Sequence, residues 1–421
     1  MAGAIEQKPK LVLITDEFPY SLREASFLRP ELAAMKEAFY ITLISKSASK
    51  QQLLEVDPEI SVLHYDRPSP LAHLPYFFTL PFEKDFWQEW RQIRQEKAKK
   101  PLQNLLLSGY FIIEARFFSR YLNRQGLLNP ADGAGIYYSY WNNYGLYALT
   151  RAKERGLLGS GKVVARTHGY DLYHERQPFG RQPVKQQTDR SLDRLYFISR
   201  QGMDYYLQHF SAENIPGKYL LSRLGTPDRG LSPIPEGGSP LKLLSLSNAV
   251  PVKRVERIIQ ALSLIQEIPI SWVHYGDGPE LVRLRSLADS LLSTKKNITF
   301  SLPGAVENSI LMETLSQTPF HCLLNVSASE GLPVSVMEAL SFGIPVLATA
   351  VGGTSELVSP DVGRLLPADV SPEEIASALI DLYRRSPEEA AALRHNARKT
   401  WEERCSEENF ARFAKSLLEL L

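Results

Sequence analysis

Strand-sized apolar runs that each end in a glycine or polar cluster are the feature that most constrains the fold of this chain. The clearest unit is residues 319–358, in which residues 320–325 are long enough for a buried strand but too short for a helix. After a polar loop, Pro333 suits the first turn of a helix that continues to a stop at Gly343. Residues 345–349 predict a second strand, so the unit is strand, loop, helix and strand.

This unit places two glutamates and a helix start near one another. We expect Glu330 on the loop at the carboxyl end of the first strand. Glu338 is expected on the helix, about 7–8 Å further along by the helical rise from Pro333. The exposed N–H groups from Gly331 to Val334 point back toward the loop, where they can hold an anion.

The same alternation of apolar run, loop and helix occurs in two successive parts of the chain. Residues 225–240 are rich in proline and glycine and form the best linker between them. The predicted strands are residues 10–15, 40–45, 60–65, 135–140, 162–167, 194–199 and 219–223 before the linker, and 241–246, 270–275, 298–302, 320–325 and 345–349 after it. Strands that alternate with helices predict two parallel, doubly wound sheets.

The chain is therefore expected to be an α/β protein with two Rossmann-like domains. The expected limits are residues 1–225 for the N-terminal domain, 226–400 for the C-terminal domain and 401–421 for a helix that crosses back to the first domain. Ligands of such sheets bind outside the carboxyl ends of the strands. Two domains that face each other with those ends would enclose a cleft, and domain interfaces are favoured ligand sites.

Composition excludes several classes of protein. The chain has 421 residues, of which 44% are hydrophobic and 23% charged, and its net charge of +1 gives no global affinity for nucleic acid. Its two cysteines, Cys322 and Cys405, are too far apart in sequence for a disulfide framework or a metal cluster. The first ten residues have no apolar signal core, and no run reaches the roughly 18 apolar residues of a membrane span. We expect a cytoplasmic protein without a nucleic-acid partner.

Residues 76–122 differ from the rest because aromatic and basic residues are interleaved there. The segment predicts two or more amphipathic helices. On a membrane, Lys and Arg would meet anionic lipid while Phe and Trp lie at the interface, and the protein would be peripheral on the inner face of the cytoplasmic membrane. Alternatively, the segment is a helical face packed on the N-terminal domain with a solvated side. The sequence leaves both interpretations open.

Several motifs together resemble a known family of enzymes. Residues 329–345 (SEGLPVSVMEALSFGIP) resemble the E-x7-E region of the retaining glycosyltransferases of family 4, which have the GT-B fold. The resemblance continues at residues 251–254 (PVKR) and 276–279 (GDGP). Residues 168–171 (HGYD) are similar to the histidine segment of the family's N-terminal domain. The resemblance covers nearly all of residues 10–400 and is most specific in the C-terminal half.

The resemblance implies transfer of a sugar from a nucleotide-diphosphate donor to an acceptor hydroxyl, with retention at the anomeric carbon. Several motifs look like those of bacterial enzymes that build capsule, exopolysaccharide or lipopolysaccharide. The acceptor is therefore expected to be a glycan or its lipid-linked precursor. No cofactor is expected besides the nucleotide-sugar co-substrate, for which UDP is favoured over GDP.

The resemblance also implies roles for individual residues. Glu330 would stabilise the charge that develops on the donor sugar, Lys253 would neutralise the departing diphosphate, and His168 would approach the sugar from the N-terminal domain. The other donor contacts would be Glu338 with the ribose, the backbone of Gly331, Leu332, Pro333 and Val334 with sugar and phosphate oxygens, Asn248 and Arg254 near the donor charge, and Gly304 and Ala305 with the base. The acceptor contacts would be Glu24, Trp141, Asn142 and Asp171.

The chemistry of the transfer favours these residue types independently of the resemblance. A nucleotide diphosphate leaves with negative charge on its phosphate oxygens, so a cation and a helix N-terminus stabilise the transition state. The sequence has no Asp-x-Asp pair of the kind that holds a divalent metal in many other transferases. We therefore predict no metal site and a metal-independent reaction.

The chain departs from the family pattern in two places. Asn248 stands five residues before Lys253, where the family usually has an arginine. Residues 21–25 replace the usual Gly-Gly loop after the first strand, so Glu24 is either an acceptor contact or part of a helix start. Trp141 and Asn142 are likewise either acceptor contacts or packing residues.

Three other functions stay open. A glycoside hydrolase would use Glu330 and Glu338 as acid and base on one glycosidic bond and would bind no nucleotide. A catalytically weak sugar-nucleotide-binding partner of another transferase, suggested by Asn248 and the missing glycine loop, would bind the donor without turning it over. A GT-B sugar-nucleotide epimerase would change the donor without any acceptor.

Overall fold

The chain is divided into two units. The computed structural model describes residues 8–129, 135–211 and 215–421, so residues 1–7, part of the segment without an apolar signal core, lie outside the described residues. Unit 1 consists of Met1–Ser222 and Phe410–Leu421, and unit 2 consists of Arg223–Asn409.

The limits of these units differ from the expected domain limits. The first boundary follows Ser222 instead of residue 225. The second follows Asn409 instead of residue 400, because Trp401 is buried in unit 2, where its indole N–H donates to Thr226 Oγ1 at 2.8 Å. The segment expected as one helix from residue 401 is interrupted after Arg404, and only its last part belongs to unit 1.

A seven-stranded parallel sheet is the centre of unit 1. Its strands are β1 (Lys10–Thr15), β2 (Tyr40–Ser45), β3 (Ser61–His64), β4 (Gly135–Ser139), β5 (Lys162–Thr167), β6 (Arg194–Phe197) and β7 (Tyr219–Leu221). Their order across the sheet is β3-β2-β1-β4-β5-β6-β7. The central strands are buried on both faces, which is why β1 is a nearly continuous apolar run.

Helices bury both faces of this sheet. The helices are α1 (Ala25–Lys36), α2 (Pro70–Phe77), α3 (Lys84–Gln95), α4 (Pro101–Arg124), α5 (Tyr144–Glu154), α6 (Lys185–Ser191) and α7 (Arg200–His209). Val12 and Ile14 of β1 belong to one hydrophobic cluster, and Leu11 and Leu13 belong to another. The alternation follows from the period of two residues along a strand.

The unit 2 sheet has six parallel strands. They are β8 (Leu241–Leu246), β9 (Ile270–Tyr275), β10 (Ile298–Gly304), β11 (Cys322–Asn325), β12 (Val346–Thr349) and β13 (Gly363–Leu366), in the order β10-β9-β8-β11-β12-β13. Its helices are α8 (Val255–Leu264), α9 (Leu281–Leu292), α10 (Asn308–Gln317), α11 (Val334–Ser341), α12 (Pro372–Tyr383) and α13 (Pro387–Arg404).

The last helix, α14 (Glu408–Leu418), packs within unit 1 through an aromatic contact and a buried charge. The ring of Phe413 lies 5.3 Å from that of Tyr138 and 4.7 Å from that of Tyr196. The guanidinium of Arg166 lies 3.9 Å from the Phe413 ring and forms an ion pair with Glu31, and both charged side chains are fully buried. A cation over an aromatic face is favourable, so this contact ties α14 to the sheet.

Each sheet reverses its strand order at one point, and that point fixes where a ligand can bind. The reversal lies between β1 and β4 in unit 1 and between β8 and β11 in unit 2. Loops that leave the carboxyl ends of the two flanking strands diverge there and leave a crevice. The residues after these four strands are therefore the first candidates for function.

The prediction of two doubly wound parallel sheets is confirmed. Strand β13 is missing from the sequence prediction because GRLL is short and has an arginine in its middle. Residues 76–122 fall on the end of α2, a 3-10 turn at Leu80–Phe82, α3 and most of α4. Within the described ranges, every helix is too short or too polar to cross a bilayer.

Candidate active site

Lys253 and Glu330 meet at the reversal point of unit 2. Lys253 ends the short 3-10 turn after β8, and Glu330 lies on the loop after β11. The Lys253 Nζ atom donates to Glu330 Oε1 at 2.6 Å. The two residues that were expected to act on the donor are thus brought into direct contact although 77 positions separate them in sequence.

Backbone contacts hold the two loops together. The N–H of Ala328 donates to the carbonyl of Val252 at 2.8 Å, one residue before Lys253. The hydroxyl of Thr349, at the end of β12, donates to the carbonyl of Ser327 at 2.6 Å. These bonds fix the position of the loop that carries Glu330, so the ion pair lies on a supported backbone.

The environment of Glu330 favours its charged form. Burial alone would raise the pKa of the Glu330 carboxyl, but the Lys253 ammonium outweighs this effect, and the pKa lies below its ordinary value. Hydrogen bonds from Ser327 and Asn325 act in the same direction, and the amide of Asn325 lies 3.3 Å from Glu330 Oε1. Sequence reasoning missed Asn325, although it ends the strand that precedes the glutamate loop.

Gly352 lets another loop approach Glu330 closely. Its φ of +53° is strained for other residues, and a Cβ at this position would lie 1.9 Å from the carbonyl oxygen of Glu330. The next amide, of Gly353, donates to the carbonyl of Gly331 at 2.6 Å. The Gly352-Gly353 pair therefore allows its loop to pack against the loop that carries Glu330. The sequence predicted only that this pair follows a strand.

The start of α11 presents unpaired helix amides beside this loop. Pro333 is the N-cap residue and Val334 is the first helical residue, so the helix begins one residue later than expected. Met337 and Val336 already donate to the Pro333 carbonyl. The N–H groups of the first turn, at Val334 and Ser335, have no acceptor within the helix and can bind an anion.

Glu338 lies in a different environment from Glu330. It is buried on α11, and Asn308 at the start of α10 donates to its Oε1 atom at 3.1 Å. Burial raises the pKa of the Glu338 carboxyl to about 7, although Asn308 and the positive charge of Arg229 act in the opposite direction. The two glutamates thus differ: the pKa of Glu330 lies below the ordinary value of a glutamate and that of Glu338 lies above it. Sequence reasoning gave no signal for Asn308.

The remaining predicted donor contacts lie on the loops after β8 and β10. Asn248 is exposed, and its backbone passes close to Gly276, where a Cβ would lie 1.8 Å from the Ser247 carbonyl oxygen. Arg254 points away from the ion pair, because its guanidinium donates to the Ala368 carbonyl at 2.6 Å. The role of Arg254 in donor binding stays a prediction, and such a role would require its hydrogen bond to Ala368 to break.

Gly304 is the last residue of β10, and Ala305 is the first residue of the loop that follows it. Gly304 has a φ of +99° and its carbonyl accepts from the N–H of Gly276 at 2.9 Å. Ala305 is exposed. The predicted base contact is compatible with this geometry and stays a prediction.

In unit 1, Asp171 links two of the predicted residues. Its carboxylate accepts the N–H of His168 at 2.7 Å and the N–H of Asn142 at 2.6 Å. Burial would raise the pKa of Asp171, but His168 and Lys185 outweigh it, and the pKa lies below its ordinary value. Asp171 therefore joins the loops after β4 and β5, and its expected acceptor contact stays a prediction.

His168 stacks on aromatic rings and keeps its nitrogens unused. Its ring lies 4.6 Å from the rings of both Tyr140 and Trp141. Nδ1 is 4.0 Å from the Asp171 carboxylate, beyond hydrogen-bond distance, and neither ring nitrogen has a hydrogen-bond partner among the described residues. Buried polar atoms are normally paired, so these nitrogens are candidates for a ligand.

The Glu24 carboxylate accepts hydrogen bonds from other residues of unit 1. Its carboxylate accepts the backbone N–H groups of Glu17 at 2.8 Å and Phe18 at 2.6 Å, and also the indole N–H of Trp141. Burial and the nearby charge of Asp16 raise the pKa of this carboxyl. Glu24 therefore organises the loop after β1 and contacts Trp141, and its expected acceptor contact stays a prediction.

A polar cluster at the unit 1 reversal point was missed in the sequence. Lys46, directly after β2, is almost fully buried, and its Nζ lies 2.8 Å from both Asp16 Oδ1 and Asn143 Oδ1. The Asn143 amide in turn donates to Asp16 at 3.0 Å. Asp16 and Lys46 directly follow predicted strands, and Asn143 lies in the loop after another predicted strand. The same rule that singled out His168 could therefore have found all three residues.

The described part of the chain contains no group of three or more His, Cys, Asp or Glu side chains arranged to hold a metal ion. Unit 2 carries an ion pair, a helix start and backbone-supported loops at its reversal point. Unit 1 carries, by itself, the Asp16 cluster and a histidine whose ring nitrogens have no hydrogen-bond partner among the described residues.

Comparisons with known proteins bear on the fold and on the C-terminal part of the chain. Residues 233–400 match the family model described as "Glycosyl transferases group 1". The chain is 26% identical over 289 residues to the Escherichia coli (strain K12) protein named "Putative colanic acid biosynthesis glycosyltransferase WcaL". That alignment covers 66% of this chain and 70% of the relative.

Solved structures resemble the chain over almost its whole length. The apo form of the lipopolysaccharide outer core galactosyltransferase WaaB has a TM-score of 0.68 at 13% identity and covers 98% of this chain and 100% of its own. Anabaena Alr3699/HepE, in complex with UDP and glucose, has a TM-score of 0.65 at 14% identity, with coverage of 98% and 100%. The chain therefore has the GT-B fold, and its residues 233–400 are similar to the glycosyl transferases group 1 family.

Proposed function

We propose that the protein is a retaining glycosyltransferase that moves a sugar from a nucleotide-diphosphate donor to a glycan or lipid-linked acceptor in surface polysaccharide synthesis. The observation that carries the proposal is the Lys253–Glu330 ion pair beside the free amides of α11, at the reversal point of the unit 2 sheet. A cation and a helix N-terminus are the groups that a departing diphosphate requires.

Lys253 and Glu330 would act on opposite charges of one reaction. As the bond between the anomeric carbon and the diphosphate oxygen breaks, positive charge develops on the sugar and negative charge on the phosphate. The Glu330 carboxylate, held ionised by its surroundings, would stabilise the sugar. The Lys253 ammonium, 2.6 Å from that carboxylate, would stabilise the phosphate together with the first-turn amides.

Retention follows from attack on the face that the leaving group vacates. The acceptor oxygen would bond to the anomeric carbon, and its proton would pass to an oxygen of the departing phosphate. On this path neither Glu330 nor Glu338 needs to form a covalent intermediate.

Glu338 would bind the ribose of the donor. A carboxylate can accept both ribose hydroxyls, and this requires its ionised form. We propose UDP ahead of GDP as the nucleotide because a similarly folded protein is described in complex with UDP and glucose. The residues present would supply the charge otherwise provided by a divalent metal, so we propose that the reaction needs none.

The acceptor is proposed from the similar proteins and from unit 1. The names of the relatives refer to colanic acid biosynthesis and to the lipopolysaccharide outer core, both surface polysaccharides. In unit 1, the Asp16 carboxylate and the unpaired His168 nitrogens are groups that could bind sugar hydroxyls.

The test is transfer from a panel of UDP- and GDP-sugars to an extract of lipid-linked oligosaccharide, with and without EDTA. We expect release of one nucleoside diphosphate, insensitive to EDTA, and a product with the donor's anomeric configuration by proton NMR. Lys253→Ala and Glu330→Gln should each reduce the rate about 100-fold or more. Lys296→Ala, an exposed lysine of unit 2, is the control. An inverted product, or rates unchanged in both site variants, would contradict the proposal.

One observation favours the glycoside hydrolase as a second candidate. The pKa of Glu330 is lowered and that of Glu338 is raised to about 7, which is the division expected of a base and an acid. The hydrolase would cleave a glycoside without binding any nucleotide. Binding of a sugar nucleotide without turnover would instead indicate a non-catalytic partner of another transferase.

A further inference from the structure

The outer surface of α2, the turn after it and α3 carries large apolar side chains that the protein does not cover. We call Leu71, Leu74, Phe78, Phe82 and Trp87 the aromatic face. Phe78 is 81% exposed and Phe82 is 88% exposed. Single exposed apolar residues are common, but a contiguous group of this size indicates a binding surface.

The residues of the aromatic face come from consecutive elements of the chain. Leu71, Leu74 and Phe78 are three and four positions apart and lie on one stripe of α2. The indole N–H of Trp87 donates to the Pro81 carbonyl at 2.7 Å, which ties the first turn of α3 to the turn that carries Phe82.

A charged side chain of α4 fixes the same turn from below. Arg116 donates to the hydroxyl of Thr79 at 2.6 Å and forms an ion pair with Glu83. The aromatic face is therefore held in place by polar contacts on its inner side, and its exposure is a property of a folded surface.

The carboxylates of this region all have a partner, and all but that of Glu96 are at least partly buried. The acidic residues of the segment 76–122 each have a partner: Glu83 with Arg116, Asp85 with the Tyr147 hydroxyl at 2.5 Å, Glu89 and Glu96 with Arg181 at 2.6 and 2.8 Å, and Glu114 with His73 at 2.8 Å. These contacts engage all five carboxylates, and in the part of the chain that the structure describes none of the five forms an ion pair with the exposed cations of α3.

The cations of the same segment are turned outward. Lys84, Arg91 and Arg94 of α3 are exposed, as are the lysines in the loop that follows it, at positions 97, 99 and 100. Within the described ranges, none of these six has a carboxylate within ion-pair distance. The Arg94 guanidinium lies 5.6 Å from the Trp90 ring, next to the aromatic face.

We propose that the aromatic face, with the adjacent cations of α3, docks on an anionic lipid bilayer. Aromatic side chains enter the interface between headgroups and acyl chains, while Lys and Arg at the rim attract anionic lipid. Charge complementarity selects this partner, because a second copy of the chain would bring the same positive charge to the contact. The sequence left a bilayer contact of residues 76–122 open, and this proposal names the aromatic face as the surface that turns toward the bilayer.

The test is co-sedimentation of the full chain with vesicles of phosphatidylcholine alone or with about a quarter of phosphatidylglycerol. The chain should bind only the anionic vesicles, and added salt should weaken binding. At about 1 kcal/mol for each basic residue, the double variant Arg91→Gln/Arg94→Gln should bind about thirtyfold more weakly. Phe78→Ser/Phe82→Ser should lose at least about tenfold.

Matched controls lie in unit 2. Val282→Ser removes an apolar side chain that is 74% exposed, and Lys296→Gln removes an exposed cation, so neither should change vesicle binding. Thermal unfolding of every variant establishes that it is folded. Vesicle binding needs no donor and no acceptor, so the outcome is independent of the proposed transferase activity.

Three outcomes would overturn the proposal. The wild type could fail to bind vesicles of either composition. It could bind them with the same affinity in the α3 and aromatic variants, which would place the membrane contact elsewhere. Finally, the aromatic variants could change the oligomeric state without any vesicle binding, which would make this face an interface between copies of the chain.

Discussion

The substitution Glu338→Gln tests the electrostatic account of the unit 2 site in a way that needs no substrate. Glu338 is buried, with a pKa raised from an ordinary 4.5 to about 7. A carboxyl whose pKa is higher in the folded state stabilises the fold when protonated. That contribution is complete below about pH 4.5 and is lost as the pH rises through about 7.

The size of the effect follows from the two pKa values. At about 1.4 kcal/mol per pH unit, ionising Glu338 in the folded protein costs about 3 kcal/mol. Between about pH 5 and about pH 8 most of this cost appears, about 2.5 kcal/mol. For a unit of this size, 1 kcal/mol corresponds to about 2–4 °C in melting temperature, so the expected effect is about 5–10 °C.

The assay is thermal unfolding of wild type and Glu338→Gln at about pH 5 and about pH 8. Glutamine is neutral at both values and keeps the hydrogen bond from Asn308 to a carbonyl oxygen. The melting temperature of the wild type should therefore fall about 5–10 °C more than that of the variant between the two pH values. The control is Glu313→Gln, an exposed glutamate of α10, which should behave like the wild type. Equal pH dependence of wild type and Glu338→Gln would refute the reasoning.

Three further predictions concern the same site. Lys253→Ala leaves the Glu330 carboxylate buried without its cation, so it should lower the free energy of unfolding by about 1–3 kcal/mol in urea near neutral pH. Adding Glu330→Gln should restore part of this loss, and additive effects of the two substitutions would contradict the pairing. Gly352→Ala should destabilise unit 2 by about 2–4 kcal/mol because its Cβ would overlap the Glu330 carbonyl. Gly238→Ala, which is also at positive φ but has open space around it, should destabilise unit 2 by only about 1 kcal/mol. Equal losses of stability in the two variants would contradict the close approach. The affinity for a UDP-sugar, measured by calorimetry, should fall about tenfold from about pH 8 to about pH 6 as Glu338 takes up a proton. Glu338→Gln should abolish this pH dependence. The same pH dependence in the variant would exclude Glu338 as its cause.

The sequence was sufficient for every strand of the two sheets except β13, and it placed Lys253 and Glu330 after strands of one sheet. Buried parallel strands are continuous apolar runs, so β1, β2, β5, β8 and β9 were predicted with their observed bounds. Lys253 and Glu330 could be placed on one crevice because each follows a strand of the same sheet. Their direct contact depends on β8 and β11 being neighbours, which the chain order alone does not determine.

Contacts that depend on packing between elements distant in sequence were not predictable. Asn308 reaches Glu338 only because α10 starts beside α11, and no local pattern marks an asparagine as a partner. Glu24 was expected at the acceptor because it follows the first strand, yet its carboxylate turns inward to the backbone of residues 16–18. Which charges of residues 76–122 face outward is likewise decided by inward partners such as Arg181, far away in sequence.

The central claim is that the unit 2 site binds a nucleoside diphosphate through Lys253 without a metal. The most direct measurement is the thermal shift of the full chain with UDP and GDP in the presence of EDTA, for wild type, Lys253→Ala and the control Lys296→Ala. A nucleotide at about 100 times its dissociation constant should stabilise the folded state by about 2.7 kcal/mol, in wild type and control. The account predicts this shift for one nucleotide and its loss in Lys253→Ala. No shift with either nucleotide, or a shift unchanged in Lys253→Ala, would contradict it.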